Sequence, residues 1–163
     1  MKRPINPNIS PNLENVDITN AFKMISSPFS ILQGSYAKKV ETWFTKNFSV
    51  SYAFTFAAAR QAEYAVLKAY GISKNDEVLV QAFTCFAVVE PIIALGAKPV
   101  FVDIDQQTLS MNFLDAQKKI SQKTKAIILQ HTFGIPGDIE GIGKLAKENN
   151  LLLIEDCAHI IGG

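Results

Sequence analysis

The feature that most constrains the fold is a regular alternation of short apolar segments and amphipathic segments along residues 52–155. The apolar segments predict strands at residues 52–56, 77–81, 98–104, 125–131 and 151–155. The segments between them predict helices at residues 58–70, 89–96, 112–121 and 137–149. The second helix is predicted to begin near Val89, because Pro91 is tolerated only in a first helical turn. Alternating strands and helices indicate an α/β fold in three layers, a mostly parallel sheet with helices on both faces.

The residues before this alternation follow another pattern. Residues 1–15 carry three prolines, which disfavour regular helix, and a short helix is predicted at residues 16–25. From Tyr36 to Phe48 the apolar residues recur at helical spacing. The sequence therefore predicts an N-terminal arm with a short helix at residues 1–33, followed by a larger α/β domain at residues 34–163.

The bulk composition is that of an ordinary soluble globular protein, with 48% hydrophobic and 19% charged residues among 163. A net charge of +1 points neither to nucleic acid nor to an anionic membrane as a partner. No apolar run reaches the roughly 18 residues of a membrane span, and the N-terminus has no hydrophobic signal-peptide core. Cys85 and Cys157 lie in apolar contexts without CxxC spacing, which favours small core residues in a reducing compartment. We therefore expect a cytoplasmic protein.

Candidate site residues follow from the rule that ligands of parallel α/β sheets bind outside the carboxyl ends of the strands. Small, aromatic, histidine and carboxylate residues follow the predicted strands, at positions 58–60, 83–86, 103, 131, 156 and 159. Such a set suits a flat, phosphorylated, nitrogen-containing ligand. Asp156 ends an apolar strand without a basic neighbour in sequence, so a distant residue or a ligand must partner its carboxylate unless it caps a helix.

Three longer segments carry recognisable motifs: NDEVLVQAFTCFAVVEPIIALGAKPVFVDID at residues 75–105, KTKAIILQHTFGIPGDI at 123–139 and LLLIEDCAHIIGG at 151–163. Their order and spacing resemble the DegT/DnrJ/StrS family of pyridoxal-phosphate (PLP)-dependent sugar aminotransferases, within fold type I of the aspartate aminotransferase superfamily. The resemblance covers almost the whole chain. It implies that residues 34–163 are the N-terminal part of an incomplete PLP-binding large domain, with the small domain absent.

The resemblance assigns Asp156 to the pyridine nitrogen of the cofactor, where a carboxylate keeps the ring protonated and able to accept electrons. It assigns His159 to the phenolic oxygen or the face of the ring. The other interpretation of His159 is a core histidine with satisfied hydrogen bonds.

The resemblance also predicts a phosphate site at the start of the first long helix. Family members carry Ser-Gly-Thr there, whereas this chain has Ala58, Ala59 and Arg60, followed by Gln61. Backbone N–H groups at a helix start still suit a phosphate, and Arg60 can add charge. The other interpretation is a plain helix N-terminus. An aromatic residue that stacks on the cofactor ring in the family corresponds to Cys85 here, with Phe86 beside it.

The resemblance places the Schiff-base lysine of the family a few tens of residues after the aspartate motif, and this chain ends seven residues after Asp156. The remaining lysines nearby are predicted to lie on a solvated helix face or ahead of a strand. We therefore expect no catalytic lysine within these 163 residues, and no aminotransferase turnover by them alone.

The function implied is amination of a nucleotide-linked keto sugar, in amino-sugar biosynthesis for a surface polysaccharide or a secondary metabolite. The family default is a homodimer with glutamate as amino donor. A non-catalytic α/β module that binds a nucleotide or a protein partner is the alternative, although no GxGxxG loop follows the first predicted strand. A metal site from His131, His159, Cys85 and Cys157 lacks close ligand spacing.

Overall fold

A computed structural model describes residues 14–27, 29 and 35–161 of the chain. Contacts between Cα atoms divide the chain into two compact units, Met1–Thr55 and Phe56–Gly163. The predicted N-terminal arm lies largely outside the described residues. The predicted domain boundary at residues 33 and 34 lies there too, so it stays a prediction.

Helices of the first unit include α1 at Asn15–Ser26 and α2 at Ser35–Asn47, and both were expected from the sequence. Helix α1 begins with a capping box, in which the backbone N–H of Glu14 donates to Asp17 Oδ2 at 2.8 Å. In and just after α2, the rings of Phe44 and Phe48 stack with their centroids 5.3 Å apart.

The second unit is built on a parallel four-stranded sheet of order β2-β1-β3-β4. The strands are β1 at Glu77–Gln81, β2 at Lys98–Val102, β3 at Thr124–Gln130 and β4 at Leu152–Asp156. The helices are α3 at Ala59–Ala69, α4 at Phe86–Ala94, α5 at Phe113–Lys119 and α6 at Ile139–Glu148. Within the described ranges, no helix combines the length and hydropathy that a membrane span requires.

Alternation of side chains along the strands produces two separate hydrophobic clusters, one on each face of the sheet. Val78 and Val80 of β1 pack with α3 and α4, and Leu79 between them packs with α5 and α6 on the opposite face. The half-buried residues of β4 at the sheet edge likewise alternate between the two clusters. The predicted three-layer α/β architecture is therefore confirmed.

The strand predicted at residues 52–56 is absent, and that prediction was wrong. Tyr52 and Phe54 are 79% and 76% exposed, and their rings stack on each other with centroids 6.5 Å apart. An alternating pattern describes side chains that fit a pleated surface, and it forms no ladder without a neighbouring strand. The four strands named above carry the sheet in the part of the chain that the structure describes.

The start predicted for the helix after β1 was also wrong. Helix α4 begins at Phe86, not near Val89, so Pro91 occupies its sixth position. Proline there removes one backbone hydrogen bond and costs about 3 kcal/mol in a helix interior. Pro91 and its neighbour Ile92 are buried on the sheet, and this burial offsets the cost.

Candidate functional site

A cavity of about 500 Å³ opens in the second unit at the carboxyl ends of β3 and β4, beside the starts of α3 and α4. Apolar side chains such as Val66, Val88 and Ile154 form much of its wall. Five of the site residues predicted from the sequence line this cavity: Ala59, Arg60, Cys85, Asp156 and His159. A groove of about 640 Å³ beside Lys125 lies instead at the amino ends of the strands, where α/β folds do not bind their ligands.

Asp156 is the last residue of β4 and lies opposite Gln130 of β3. The backbone N–H of Ala158 donates to its Oδ1 at 3.0 Å, which fixes the orientation of the half-buried carboxylate. Among the described residues, no lysine, arginine or histidine forms an ion pair with it. The sequence analysis expected either a distant residue or a ligand to partner the Asp156 carboxylate. The described part of this chain supplies no cation there, and a ligand can supply it.

His159 is held from one side by Phe133, in the turn after β3. The backbone N–H of Phe133 donates to His159 Nδ1 at 3.0 Å, and the two rings lie 4° from parallel with centroids 5.9 Å apart. Phe133 has a positive φ of 55°, which turns its N–H toward the imidazole. Because Nδ1 accepts this hydrogen bond, the neutral imidazole carries its proton on Nε2. His159 can therefore donate from Nε2 to a ligand oxygen.

The start of α3 has no side-chain cap, because its N-cap residue is Ala58. The N–H groups of Gln61 and Ala62 both donate to the Ala58 carbonyl, at 3.0 and 3.4 Å. Within the described ranges, the N–H groups of Ala59 and Arg60 have no acceptor, so they are available to an anion. The Arg60 guanidinium lies 2.7 Å from Glu90 Oε2 of α4 and is partly neutralised there.

Two predicted site residues do not line the cavity. Gln61 lies in a neighbouring shallow depression with Pro91, and the Phe86 side chain is 67% exposed. Cys85 is the N-cap of α4 and does line the cavity. Both Cys85 and Cys157 are exposed free thiols, so the prediction that the cysteines are core residues was wrong. The reason is their position, since each follows a strand or starts a helix at the open edge of the sheet.

Glu63 is a cavity residue that the sequence analysis missed. Its Oε1 atom is buried without a hydrogen-bond partner in the part of the chain that the structure describes. Burial, and then the nearby charge of Asp156, raise the pKa of Glu63 to about 8. A signal was present in the sequence, since Glu63 follows Ala59 by four positions and precedes Val66 by three, on one face of α3.

The sequence analysis considered a metal site of four residues and disfavoured it, and only two of the four, His131 and Cys157, belong to a possible ligand group among the described residues. His131, Glu155 and Cys157 have ligand atoms within 4.8 Å of one another. However, the backbone N–H of Gly137 donates to His131 Nδ1 at 3.0 Å, so the neutral ring carries its proton on Nε2. That Nε2 lies 3.2 Å from Glu155 Oε2 and donates its proton to it. A protonated Nε2 has no lone pair to offer a metal ion.

Comparisons with known proteins point in one direction. Residues 12–163 match the model of the DegT/DnrJ/EryC1/StrS aminotransferase family. GDP-perosamine synthase of Escherichia coli O157:H7 is 39% identical over 156 residues, which are 96% of this chain and 43% of that protein. The X-ray structure of an aminotransferase from Psychrobacter cryohalolentis superposes with a TM-score of 0.85 at 30% identity, over 93% of this chain and 39% of that one.

A further solved structure is that of an E. coli GDP-4-keto-6-deoxy-D-mannose-3-dehydratase with bound hydrated PLP. It is 26% identical with a TM-score of 0.76, over 92% of this chain and 40% of that one. The chain thus spans roughly two fifths of the length of the proteins that it matches.

Proposed function

Because this chain belongs to the DegT/DnrJ/EryC1/StrS aminotransferase family, we propose that it forms part of the PLP site of an enzyme that aminates a nucleotide-linked keto sugar. The observation that carries the proposal is Asp156, a carboxylate at the end of β4 that faces the cavity without a cationic partner among the described residues. A pyridinium nitrogen is a cation of the right kind for this position.

The residues present fit the cofactor. A flat ring needs an apolar wall, an acid at its nitrogen, a donor at its phenolic oxygen and N–H donors at its phosphate. The cavity offers apolar side chains, Asp156, the Nε2 of His159 and the uncapped start of α3. The start of α3 offers backbone N–H groups, which do not depend on the side chain. Ala58 and Ala59 can therefore replace the hydroxyl-bearing residues of the family.

When bound, PLP supplies a ring that withdraws electrons from a substrate carbon as a proton leaves it. Asp156 holds the ring nitrogen protonated, and the N–H of Ala158 keeps its carboxylate in place for this task. His159 donates from Nε2 to the ring oxygen and keeps that position because Phe133 holds Nδ1 and the ring face. The apolar wall excludes water and strengthens both interactions.

The substrate, the amino donor and the assembly are part of the same proposal. A nucleotide-linked keto sugar is supported by the name of the relative that is 39% identical, GDP-perosamine synthase. Glutamate as donor and a homodimer follow from the family resemblance.

The location of the site can be tested by NMR titration of the 163-residue chain with pyridoxine 5'-phosphate, which has no aldehyde and cannot react with lysines. We expect amide shifts at the start of α3 and around Asp156 and His159. Asp156→Ala should weaken binding about tenfold to a hundredfold, because a charge-assisted hydrogen bond contributes about 1.5–3 kcal/mol. Glu140→Gln, at an exposed acid of α6, is the matched control. Shifts elsewhere, or equal affinity for Asp156→Ala, contradict the proposal.

The reaction can be tested in a chimera in which this chain replaces the aligned 156 residues of GDP-perosamine synthase. We expect amination of a nucleotide-linked keto sugar that Asp156→Ala lowers by orders of magnitude. A folded chimera that binds the cofactor but aminates no such sugar would contradict the assignment.

A second candidate is removal of a sugar hydroxyl group, and the resemblance to the 3-dehydratase with bound hydrated PLP favours it. Asp156 and His159 serve both reactions in the same way, since both depend on a protonated ring. The two are distinguished by the product of the chimera, which contains a new amino group only after transamination.

A further inference from the structure

Glu63 is an acid in the cavity to which the proposed function gives no task. It projects from the second turn of α3, about 6 Å along the helix axis from the uncapped N–H groups at its start. Its Oε1 is enclosed and lacks a hydrogen-bond partner within the described ranges. An unpartnered buried carboxylate is costly, so such a group either binds a proton or receives a cation from elsewhere.

The charges that face Glu63 make the cavity acidic. From β4 comes the carboxylate of Asp156, and Cys157 and His159, which follow it, line the same cavity. The side chain of Glu155 is held instead by His131, whose Nε2 lies 3.2 Å from Glu155 Oε2. From α3 comes Arg60, whose guanidinium is paired with Glu90 of α4 at 2.7 Å. Within the described ranges, Glu63 and Asp156 therefore share one apolar cavity without a cation of their own.

We propose that Glu63 is a proton-exchanging group of this cavity, protonated while the cavity is empty and ionised when a cationic ring enters beside Asp156. The step is a simple ionisation. The O–H bond of Glu63 breaks, its electron pair stays on the carboxylate, and the proton passes to the buffer. This inference rests on the proposed function for the identity of the ring, a pyridinium.

Charge balance explains the direction of the exchange. The pyridinium cation lies beside Asp156 and offsets that carboxylate first. The phosphate of the ligand is offset separately, by the uncapped N–H groups at the start of α3. The ring cation nevertheless lowers the cost of ionising Glu63, because an opposite charge nearby favours the charged form of an acid. The entering ring also displaces water, so the attraction between the cation and Glu63 acts in a medium of lower dielectric constant. Glu63 thus makes the cavity selective for a cationic ring over a neutral ring of the same shape.

The empty cavity is tested by carbon-13 NMR of the glutamate carboxyl groups in the 163-residue chain. The Glu63 signal is identified by its loss in Glu63→Gln, and we expect it to titrate near pH 8, where the pKa of this buried acid lies. Glu140, exposed on α6, provides the reference signal in the same spectra. A Glu63 signal that titrates at about 4.3, the usual value for a free glutamate, overturns the inference and leaves the cofactor assignment intact.

The exchange is tested by calorimetry with pyridoxine 5'-phosphate at pH 7, in two buffers of different protonation enthalpy. The difference in heat gives the number of protons released for each ring bound. We expect the wild-type chain and Glu140→Gln to release a substantial fraction of a proton more than Glu63→Gln, which still binds.

Equal proton release by the wild-type chain and Glu63→Gln overturns the inference. Absence of any binding by the wild-type chain overturns the cofactor assignment, and with it the exchange on ring entry. A Glu63 titration near pH 8 with normal binding and no difference in proton release also overturns it, since Glu63 would then stay protonated beside the ring.

Discussion

The backbone N–H of Phe133 lies 3.0 Å from Nδ1 of His159, and the two rings stack 4° from parallel. This contact links the turn after β3 to the segment after β4, across the open edge of the sheet. It fixes both the position and the tautomer of a histidine that the family resemblance assigned to the phenolic oxygen or the face of the cofactor ring. The donor is a backbone group, so any residue other than proline at position 133 retains it.

The tautomer of His159 is the first prediction. In a chain labelled with nitrogen-15 at histidine, the neutral ring should carry its proton on Nε2, with Nδ1 showing the shift of a hydrogen-bonded acceptor. Phe133→Ala keeps the backbone donor but removes the stacked ring, and we expect it to broaden the His159 signals, since such ring pairs contribute about 0.5–1.5 kcal/mol. A proton on Nδ1 of neutral His159 would exclude the contact with Phe133.

A second prediction concerns Gly137, whose N–H donates to His131 Nδ1. A Cβ atom there would overlap Ser110 Oγ and lie 3.1 Å from Leu129 Cδ1, both on the buried side of the loop. Gly137→Ala should therefore lower the free energy of unfolding by about 1–3 kcal/mol.

Gly143→Ala is the matched control, because a Cβ there meets only Leu153 Cδ2 at an ordinary distance of 3.8 Å. Gly143 lies inside α6, where alanine is preferred by about 0.5–1 kcal/mol, so this change should stabilise the protein. Chemical denaturation measures both. Equal effects of the two changes would contradict the crowding described at Gly137.

A third prediction follows from the raised pKa of Glu63. Between its ordinary value near 4.5 and about 8, the folded chain retains a proton that the unfolded chain has lost. Stability must therefore fall as pH rises through this window. Glu63→Gln removes the effect, so its advantage over the wild-type chain should grow from pH 5 to pH 8. We expect on the order of 1 kcal/mol at pH 8, since the open cavity lets solvent screen the charge.

Denaturation of both chains at several pH values checks this sign. A constant difference between Glu63→Gln and the wild-type chain across the window would show that Glu63 titrates normally in the folded state.

A fourth prediction concerns metal binding. His131, Glu155 and Cys157 lie close enough to suggest a site, yet the Nε2 of His131 carries the proton that Glu155 accepts. In competition with a chromogenic zinc chelator, the wild-type chain should bind zinc no more tightly than His131→Asn. Tight binding lost in that variant would mean that the Gly137 hydrogen bond breaks to release the ring.

The fold was largely predictable because its signals are local. The continuous apolar runs of β1, β3 and β4 and the helical spacing of α6 depend on residues adjacent in sequence. Residues 52–56 show where this reasoning fails, since alternation is necessary for an edge strand but a partner strand must also be present. The prediction that α4 begins near Val89, which was based on Pro91, failed for a related reason. Burial on the sheet can outweigh a local rule, and burial is not visible from five neighbouring residues.

The candidate site was predictable where topology alone decides position. Asp156 ends β4 and Cys85 lies between β1 and α4, so both must lie at the carboxyl edge of the sheet. Glu63 was missed because its significance depends on what faces it, a set of apolar walls and a second acid that lie far away in sequence. The contact between Phe133 and His159 depends on the positive φ of Phe133. A phenylalanine in the sequence does not indicate a positive φ, so this contact could not be predicted.

The central claim is that Asp156 partners the ring nitrogen of a PLP-type cofactor, and nitrogen-15 NMR of ring-labelled pyridoxine 5'-phosphate bound to this chain tests it most directly. With the wild-type chain and the Glu140→Gln control, the bound ring nitrogen should stay protonated to a higher pH than in the free compound, because the carboxylate stabilises the pyridinium. In Asp156→Asn that shift should disappear. A bound ring whose nitrogen titrates identically with Asp156 and with asparagine would contradict the account.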